Sequence, residues 1–153
     1  MKTLSITSIT LIVLLSSCGG GQSRPMTPEE LRAELQQQEL LNPLNYLEHN
    51  NVTLQPQRKK VRNGGLFRDA KYADDGALIE GFIVNKSTLA KYKDIKVKVT
   101  YYSQTKTLIN EEEYVFYEFY DPNTTKQFSI KVYPPKAYET FGFELIGATG
   151  VYE

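Results

Sequence analysis

The clearest β-strand signal in the chain is one eight-residue stretch, Ile95-Lys96-Val97-Lys98-Val99-Thr100-Tyr101-Tyr102. Apolar and polar residues alternate along it with a single break at the final tyrosine pair. Because successive side chains of a β-strand point to opposite faces, this period places the first tyrosine inside and the second outside. One buried and one solvated face is typical of an antiparallel sheet. The stretch therefore predicts a half-buried strand.

The same period of two recurs on both sides of this stretch. Residues 77–85 would place Ile79, Gly81 and Ile83 on one face, and the preceding Asp75-Gly76 pair is typical of a hairpin turn. Residues 107–120 form a long β-prone aromatic run that ends at Asp121-Pro122-Asn123. Two further strands are predicted from alternating apolar residues: Phe128, Ile130 and Val132, then Phe141, Phe143 and Leu145.

Several short strands separated by Pro- and Gly-containing turns predict an all-β fold, an antiparallel immunoglobulin-like β-sandwich over residues 51–153. Each large apolar side chain that such a core buries contributes about 1.5–3 kcal/mol, before the entropy of ordering is subtracted. The domain should therefore fold without disulfides or a metal ion.

A helical segment over residues 28–47 precedes the predicted sandwich. Thr27 can cap the helix, Pro28 suits the first helical position, and Glu30 completes a capping box. The helix should end near Leu41, because the following Asn-Pro pair disfavours continuation. Its apolar stripe at helical spacing has two interpretations: packing on (or spacing of) its own domain, or docking onto a partner.

The first seventeen residues differ in character from the rest. Lys2 precedes an apolar run that is shorter than the ~20 residues needed to span a bilayer, which is typical of a secretory signal. The run ends in Leu15-Ser16-Ser17-Cys18, which resembles the lipobox of bacterial lipoproteins. The resemblance implies cleavage before Cys18, a diacylglyceryl thioether on its sulfur, and acylation of the new amino terminus. Residues 1–17 would then be a signal peptide and 18–27 the lipidated cysteine with a glycine-rich tether.

The alternative for this segment is a plain secretory leader with a chance cysteine. Cys18 is the only cysteine, so it has no disulfide partner within the chain, and a spare thiol on an exported protein needs an explanation. No aspartate or acidic cluster follows it. Compared with known lipoprotein sorting signals, this favours an outer-membrane anchor facing the periplasm.

A second resemblance covers residues 75–148. The order Gly81-Phe82-Ile83-Val84-Asn85, then the long alternating strand ending in aromatic residues, then Asp121-Pro122-Asn123 and Phe128, resembles FxLYD-type immunoglobulin-like domains of bacterial envelope proteins. The name-giving motif is not matched literally, because Val99-Thr100-Tyr101-Tyr102-Ser103 stands in its place. The helical preface after a lipobox is also similar to small lipoproteins of Bacteroidetes-type bacteria. Both resemblances imply an architecture and a location, with no shared catalytic activity.

The composition argues against several functional classes. Lys+Arg and Asp+Glu are equal at 18 each, so the chain has no basic surplus for nucleic-acid phosphates. The one histidine, His49, has no second His or Cys at ligand spacing, whereas zinc sites and nucleophilic triads need such clusters. We therefore expect no catalytic residues, no metal, no cofactor and no enzyme activity.

Tyrosine is the residue type with the most binding potential, because exposed aromatic rings anchor proteins and sugars. Alternation predicts that about half of the tyrosines on the strands are core and the rest face outward. The candidate interaction surface is this set: Lys96, Lys98, Tyr102, Tyr117 and Tyr133. The expected function is a non-enzymatic, membrane-anchored module that contacts envelope proteins. The alternative is a glycan- or small-ligand-binding accessory protein.

Overall fold

The structure is a computed structural model that describes residues 24–151. The predicted signal peptide, Cys18 and residues 19–23 of the predicted tether lie outside the described residues. Helix α1 spans Pro28–Leu41, with the predicted Thr27–Glu30 capping box in place, and a 3₁₀ turn follows at Pro43–Asn45. Six strands complete the described chain: β1 Leu47–Arg62, β2 Lys71–Asn85, β3 Lys91–Tyr102, β4 Leu108–Phe116, β5 Thr124–Val132 and β6 Thr140–Val151.

The strands form two antiparallel three-stranded sheets, in the orders β1-β2-β5 and β4-β3-β6. Aromatic side chains join the two sheets. Phe128 of β5 stacks on Phe143 of β6 with ring centroids 5.0 Å apart, and it meets Phe116 of β4 at 5.1 Å. The predicted antiparallel β-sandwich preceded by a helix is confirmed.

The core contains the residues that the period of two selected. The four inward residues of the stretch 95–102 in β3 are fully buried, as are Ile79 and Ile83 of β2. Gly81, between those two isoleucines, leaves room for Phe128, whose ring atoms lie 3.0 Å from where a Cβ would be. In β6 the predicted inward residues are partly buried and pack against this core: Phe141, Phe143 and Leu145.

The predicted hairpin turn at Asp75-Gly76 is wrong, because both residues lie inside β2. Gly76 has φ +79°, and a Cβ there would be 2.4 Å from the carbonyl oxygen of Val132. The glycine therefore marks a close approach to β5 and not a reversal of the chain. The actual β1–β2 turn lies in residues 63–70, where Gly65 and Arg68 pair.

Strand β1, which includes residues 50–58, is not among the strands that alternation predicted. The strand has only one buried residue, Leu47, with Val52 and Leu54 partly buried. An edge strand with so little buried surface lacks the alternation on which the prediction relied. The long run 107–120 also divides: β4 ends at Phe116, and Tyr120 instead forms an isolated bridge with Tyr92.

Candidate interaction surfaces

Three of the five candidate surface residues share the outward face of β3. Lys96 is exposed, and Lys98 lies between Glu113 of β4 and Glu144 of β6, with its Nζ 3.3 Å from the Glu144 Oε2. Tyr102 is half-buried, at the end of the strand. Carboxylates therefore flank Lys98 on both neighbouring strands, and this part of the face is electrostatically balanced.

The other two candidate residues lie elsewhere. Tyr117 is 82% exposed and follows Phe116, which pairs with Ile95, seven residues before Tyr102 in β3. Seven residues at ~3.3 Å each separate those two positions by about 23 Å. Tyr133 is 65% exposed and follows β5 in the other sheet. The structure thus does not bring the three tyrosines together on one face.

Tyr133 lines an open depression of about 370 Å³ with Gly76, Pro134, Pro135 and Tyr138 among its walls. The Nζ of Lys131 lies 5.6 Å from the centre of the Tyr133 ring, within cation–π range. An exposed aromatic ring beside prolines can stack on a flat apolar face of a ligand. Here a predicted surface tyrosine borders a concavity.

The predicted division of the strand tyrosines is confirmed. Tyr101 and Tyr120 are buried, whereas Tyr102 is half-buried and Tyr117 is exposed. Burial raises the pKa of Tyr101 to about 12, with Glu112 and Tyr138 adding to the effect. Burial likewise raises the pKa of Tyr120 to about 12, so both phenols stay neutral at physiological pH.

The most developed polar site joins the helix to the sandwich. Glu39 of α1 is 1% exposed, and its carboxylate accepts four hydrogen bonds from the β2–β3 loop. The donors are the backbone amides of Thr88 (2.8 Å), Leu89 (2.8 Å) and Ala90 (2.9 Å), together with the Thr88 hydroxyl (2.8 Å). A buried charge with this many donors is well compensated.

Two further contacts fasten the same end of α1. The Tyr92 hydroxyl donates to the backbone carbonyl of Glu39 at 2.7 Å, and burial raises the pKa of this phenol. Leu40 lies so close to β6 that a Cβ on Gly150 would be 2.6 Å from its Cδ2. By contrast, Leu31 and Leu35 are 52% and 38% exposed. The carboxyl end of the helix therefore packs on its own domain, while its amino-terminal apolar residues remain exposed.

Asn85 organises the loops beneath this junction. Its Nδ2 donates to the carbonyls of Ala90 (3.0 Å), Tyr120 (3.0 Å) and Asp121 (3.1 Å), and its Oδ1 accepts from the Ser87 amide (2.9 Å). The side chain is fully buried. One amide thus joins the β2–β3 loop, which binds Glu39, to the β4–β5 connection.

Sequence reasoning missed both Glu39 and Asn85 as structural centres. Glu39 occupies a helix rich in glutamine, where a charged residue is usually solvated, although the adjacent Leu40 indicated the buried side. Asn85 ends an otherwise apolar strand and precedes Ser87 by two residues. That spacing is a local signal for an asparagine whose side chain binds the backbone of a following turn.

The Glu39 site predicts a specific pH dependence. Burial alone raises the pKa of Glu39, but the hydrogen bonds from Thr88, Leu89 and Ala90 outweigh it and leave the pKa below its ordinary value. As pH falls, the unfolded state binds a proton at this position before the folded state does. The contribution of Glu39 to stability is therefore present above the ordinary glutamate pKa and is lost as pH falls through the lowered value.

We expect wild type to lose more unfolding free energy than Glu39→Gln between neutral pH and about pH 3, measured by urea denaturation. Other carboxylates with lowered pKa, such as Glu30 and Asp75, are present in both proteins and cancel in the comparison. Parallel pH curves for the two proteins would contradict the assignment.

No group of three or more His, Cys, Asp or Glu side chains within residues 24–151 is arranged to hold a metal ion. Over the same residues, no helix has both the length and the apolar character needed to cross a membrane. The chain matches no protein-family model, no curated protein and no solved structure. Its function is therefore inferred from its own residues.

Proposed function

We propose that the protein is a bacterial envelope lipoprotein, anchored by lipid on Cys18 and facing the periplasm from the outer membrane. It acts without catalysis and presents an immunoglobulin-like module of the FxLYD type to envelope proteins. The observation that carries this proposal is the lipobox-like Leu15-Ser16-Ser17-Cys18 at the end of a short apolar run. Several acyl chains at one site would hold the protein stably, whereas a single chain holds only marginally.

The helix junction supports the positioning part of the proposal. A spacer helix controls the orientation of a domain only if the helix is fixed to that domain. Glu39 and Leu40 fix the carboxyl end of α1 to the β2–β3 loop and to β6. If the chain is anchored in a membrane before α1, the packed junction would therefore couple the orientation of α1 to that of the sandwich.

The sandwich also offers protein partners accessible edges. The strand orders leave β1 and β5 at the edges of one sheet and β4 and β6 at the edges of the other. The β4 edge carries Glu111 and Glu113, which are exposed. Charges on an edge strand discourage indiscriminate strand pairing, so a partner for this edge would need complementary basic groups.

A second candidate function is binding of a glycan or small ligand. The depression beside Tyr133 favours it, because the ring borders a concave surface with Pro134, Pro135 and Tyr138. The version that depends on three tyrosines acting together has no geometric basis, since Tyr117 follows Phe116, which pairs with β3 seven residues before Tyr102. Any such site would depend on Tyr133 alone.

The test is a pull-down of tagged, lipidated protein from mildly solubilised native envelopes, with Cys18→Ala in parallel. We expect wild type in the membrane fraction with a stoichiometric protein partner, and we expect Cys18→Ala to be lost from that fraction. Unchanged membrane retention of Cys18→Ala would contradict the anchoring proposal. A partnerless wild-type protein that binds a glycan or cell-wall fragment, with loss of binding in Tyr133→Ala, would favour the second candidate.

A further inference from the structure

The β1–β2 hairpin extends beyond the sandwich. Strand β2 pairs with β5 only over residues 77–85, so its first residues have β1 as their only neighbour in the sheet. We call residues 58–74 the arm. Every residue of the arm is exposed except Ala70, which is intermediate. The arm therefore contributes nothing to the core. Core packing does not constrain its side chains, which are available for contacts with other molecules.

The tip of the arm is a tight turn with two apolar residues at its apex. Gly65 and Arg68 exchange backbone hydrogen bonds of 2.8 and 3.2 Å, which places Leu66 and Phe67 between them. Leu66 is 94% exposed and Phe67 is 93% exposed, the highest values among the exposed large apolar side chains of residues 24–151. Arg62 braces the turn by donating to the Asp69 carbonyl at 3.2 Å.

The arm also carries a surplus of positive charge. It contains two acids, Asp69 and Asp74, and six cations: Arg58, Lys59, Lys60, Arg62, Arg68 and Lys71. Its net charge is thus +4 in a chain whose formal charge is zero, so the remaining sequence carries −4. None of the six forms an ion pair with another residue in the described range 24–151. The balanced composition of the whole chain had concealed this segregation.

We propose that the arm docks onto an anionic lipid surface. Leu66 and Phe67 enter the boundary between headgroups and acyl chains, while the flanking lysines and arginines meet lipid phosphates. Apolar side chains in the interface and basic residues at headgroup level are the two interactions that hold peripheral segments on anionic membranes. Here one hairpin supplies both, with the apolar pair at its furthest point.

The geometry favours lipid over other partners. A specific protein interface buries about 1,200–2,000 Å² in total, far more than two apex side chains offer. Nucleic acid would use the cations, but it would leave the Leu66 side chain without an apolar environment. The tip also lies at the opposite end of β2 from the loop that binds Glu39, so it is a separate place in the fold from the junction with α1.

The chain has no tryptophan, which allows a local optical test. Full-length Phe67→Trp would be mixed with phosphatidylcholine vesicles, with and without phosphatidylglycerol, some of them carrying brominated acyl chains. We expect a blue-shifted emission and quenching by bromine with the anionic vesicles only, reversed by high salt. The matched control is Tyr117→Trp, which starts 82% exposed and should not shift.

The charged part of the proposal has its own variant. Replacing Lys59, Lys60 and Arg62 by glutamine in the Phe67→Trp background should weaken the apparent vesicle affinity by about tenfold or more. Circular dichroism would verify that the sandwich is intact. Because the fluorophore reports only on the tip, membrane attachment through the amino terminus does not produce the signal, and failure of the lipid anchor would leave this result unchanged.

Three results would overturn the proposal. The first is no emission shift with anionic vesicles. The second is an equal shift with phosphatidylcholine alone, which would remove the role of the cations. The third is a shift on adding a single-stranded oligonucleotide but none with vesicles, which would assign the arm to nucleic acid instead.

Discussion

Replacing Glu39 by alanine is expected to lower the free energy of unfolding by about 3–4 kcal/mol. The substitution removes the single acceptor for three backbone amides and one hydroxyl of the β2–β3 loop. Hydrogen bonds to a charged group are worth more than neutral ones, and buried donors left without an acceptor carry the full cost of desolvation. Urea denaturation followed by circular dichroism measures the change.

The matched control is Glu34→Ala in the same helix. Glu34 is exposed, and its one polar contact is a 3.4 Å hydrogen bond from Gln38. Its replacement should change stability by no more than about 0.5 kcal/mol. Hydrogen exchange adds a local readout, because Glu39→Ala should lose amide protection at residues 88–90 first. Equal changes in the free energy of unfolding for the two alanine substitutions would show that the hydrogen bonds of Glu39 add no more stability than an exposed contact.

Replacing Asn85 by alanine is expected to cost about 3 kcal/mol. The change removes the fully buried Asn85 amide as a partner of three carbonyls and of the Ser87 amide, although the bond to the Asp121 carbonyl is only partly buried. Some of the loss is moderated, because the Tyr120 carbonyl also accepts from the Tyr92 amide and the Ala90 carbonyl from the Ser87 hydroxyl. Thermal and urea unfolding of the purified variant measure the effect.

Asn110→Ala is the control for this prediction. Asn110 is exposed, and its Nδ2 contacts only Glu112, at 3.1 Å. Its substitution should be nearly neutral. Because Asn85 orders the loop that receives Glu39, the double variant Glu39→Ala/Asn85→Ala should lose less than the sum of the single losses. Strict additivity would mean that the loop is held by other contacts and that the two side chains act independently.

The strands that the sequence predicted correctly are those with one buried and one wet face. From Ile95 to Tyr101 in β3 every second residue has no access to solvent, so selection on burial is visible as alternation. Strand β1 escaped prediction because only its first residue is buried, and its last five residues lie in the arm, where both faces are exposed and no position requires an apolar residue. Alternation reports burial and not strand conformation.

Gly76 illustrates a second limit. The Asp-Gly pair has the chemistry of a hairpin turn, yet here the glycine is required by the approach of the Val132 carbonyl from β5. Both situations demand a positive φ without a Cβ, so local sequence cannot distinguish them. The partner strand that decides between them lies more than fifty residues away in the chain.

The polar sites were hidden for a related reason. Glu39 and Asn85 are buried because particular backbone groups of residues 88–90 and 120–121 converge on them. That convergence is a property of the assembled fold. The concentration of positive charge in the arm was likewise not evident from the composition. Recognising it required knowing that residues 58–74 project from the sandwich as one hairpin.

The measurement that tests the lipoprotein proposal most directly is the intact mass of the protein extracted from bacterial membranes. We expect a chain that begins at Cys18 and is heavier than residues 18–153 by a diacylglyceryl group and an amino-terminal acyl chain. Fragmentation should place both groups on Cys18. An unmodified chain, or one cut at another position with Cys18 as a free thiol, would contradict it.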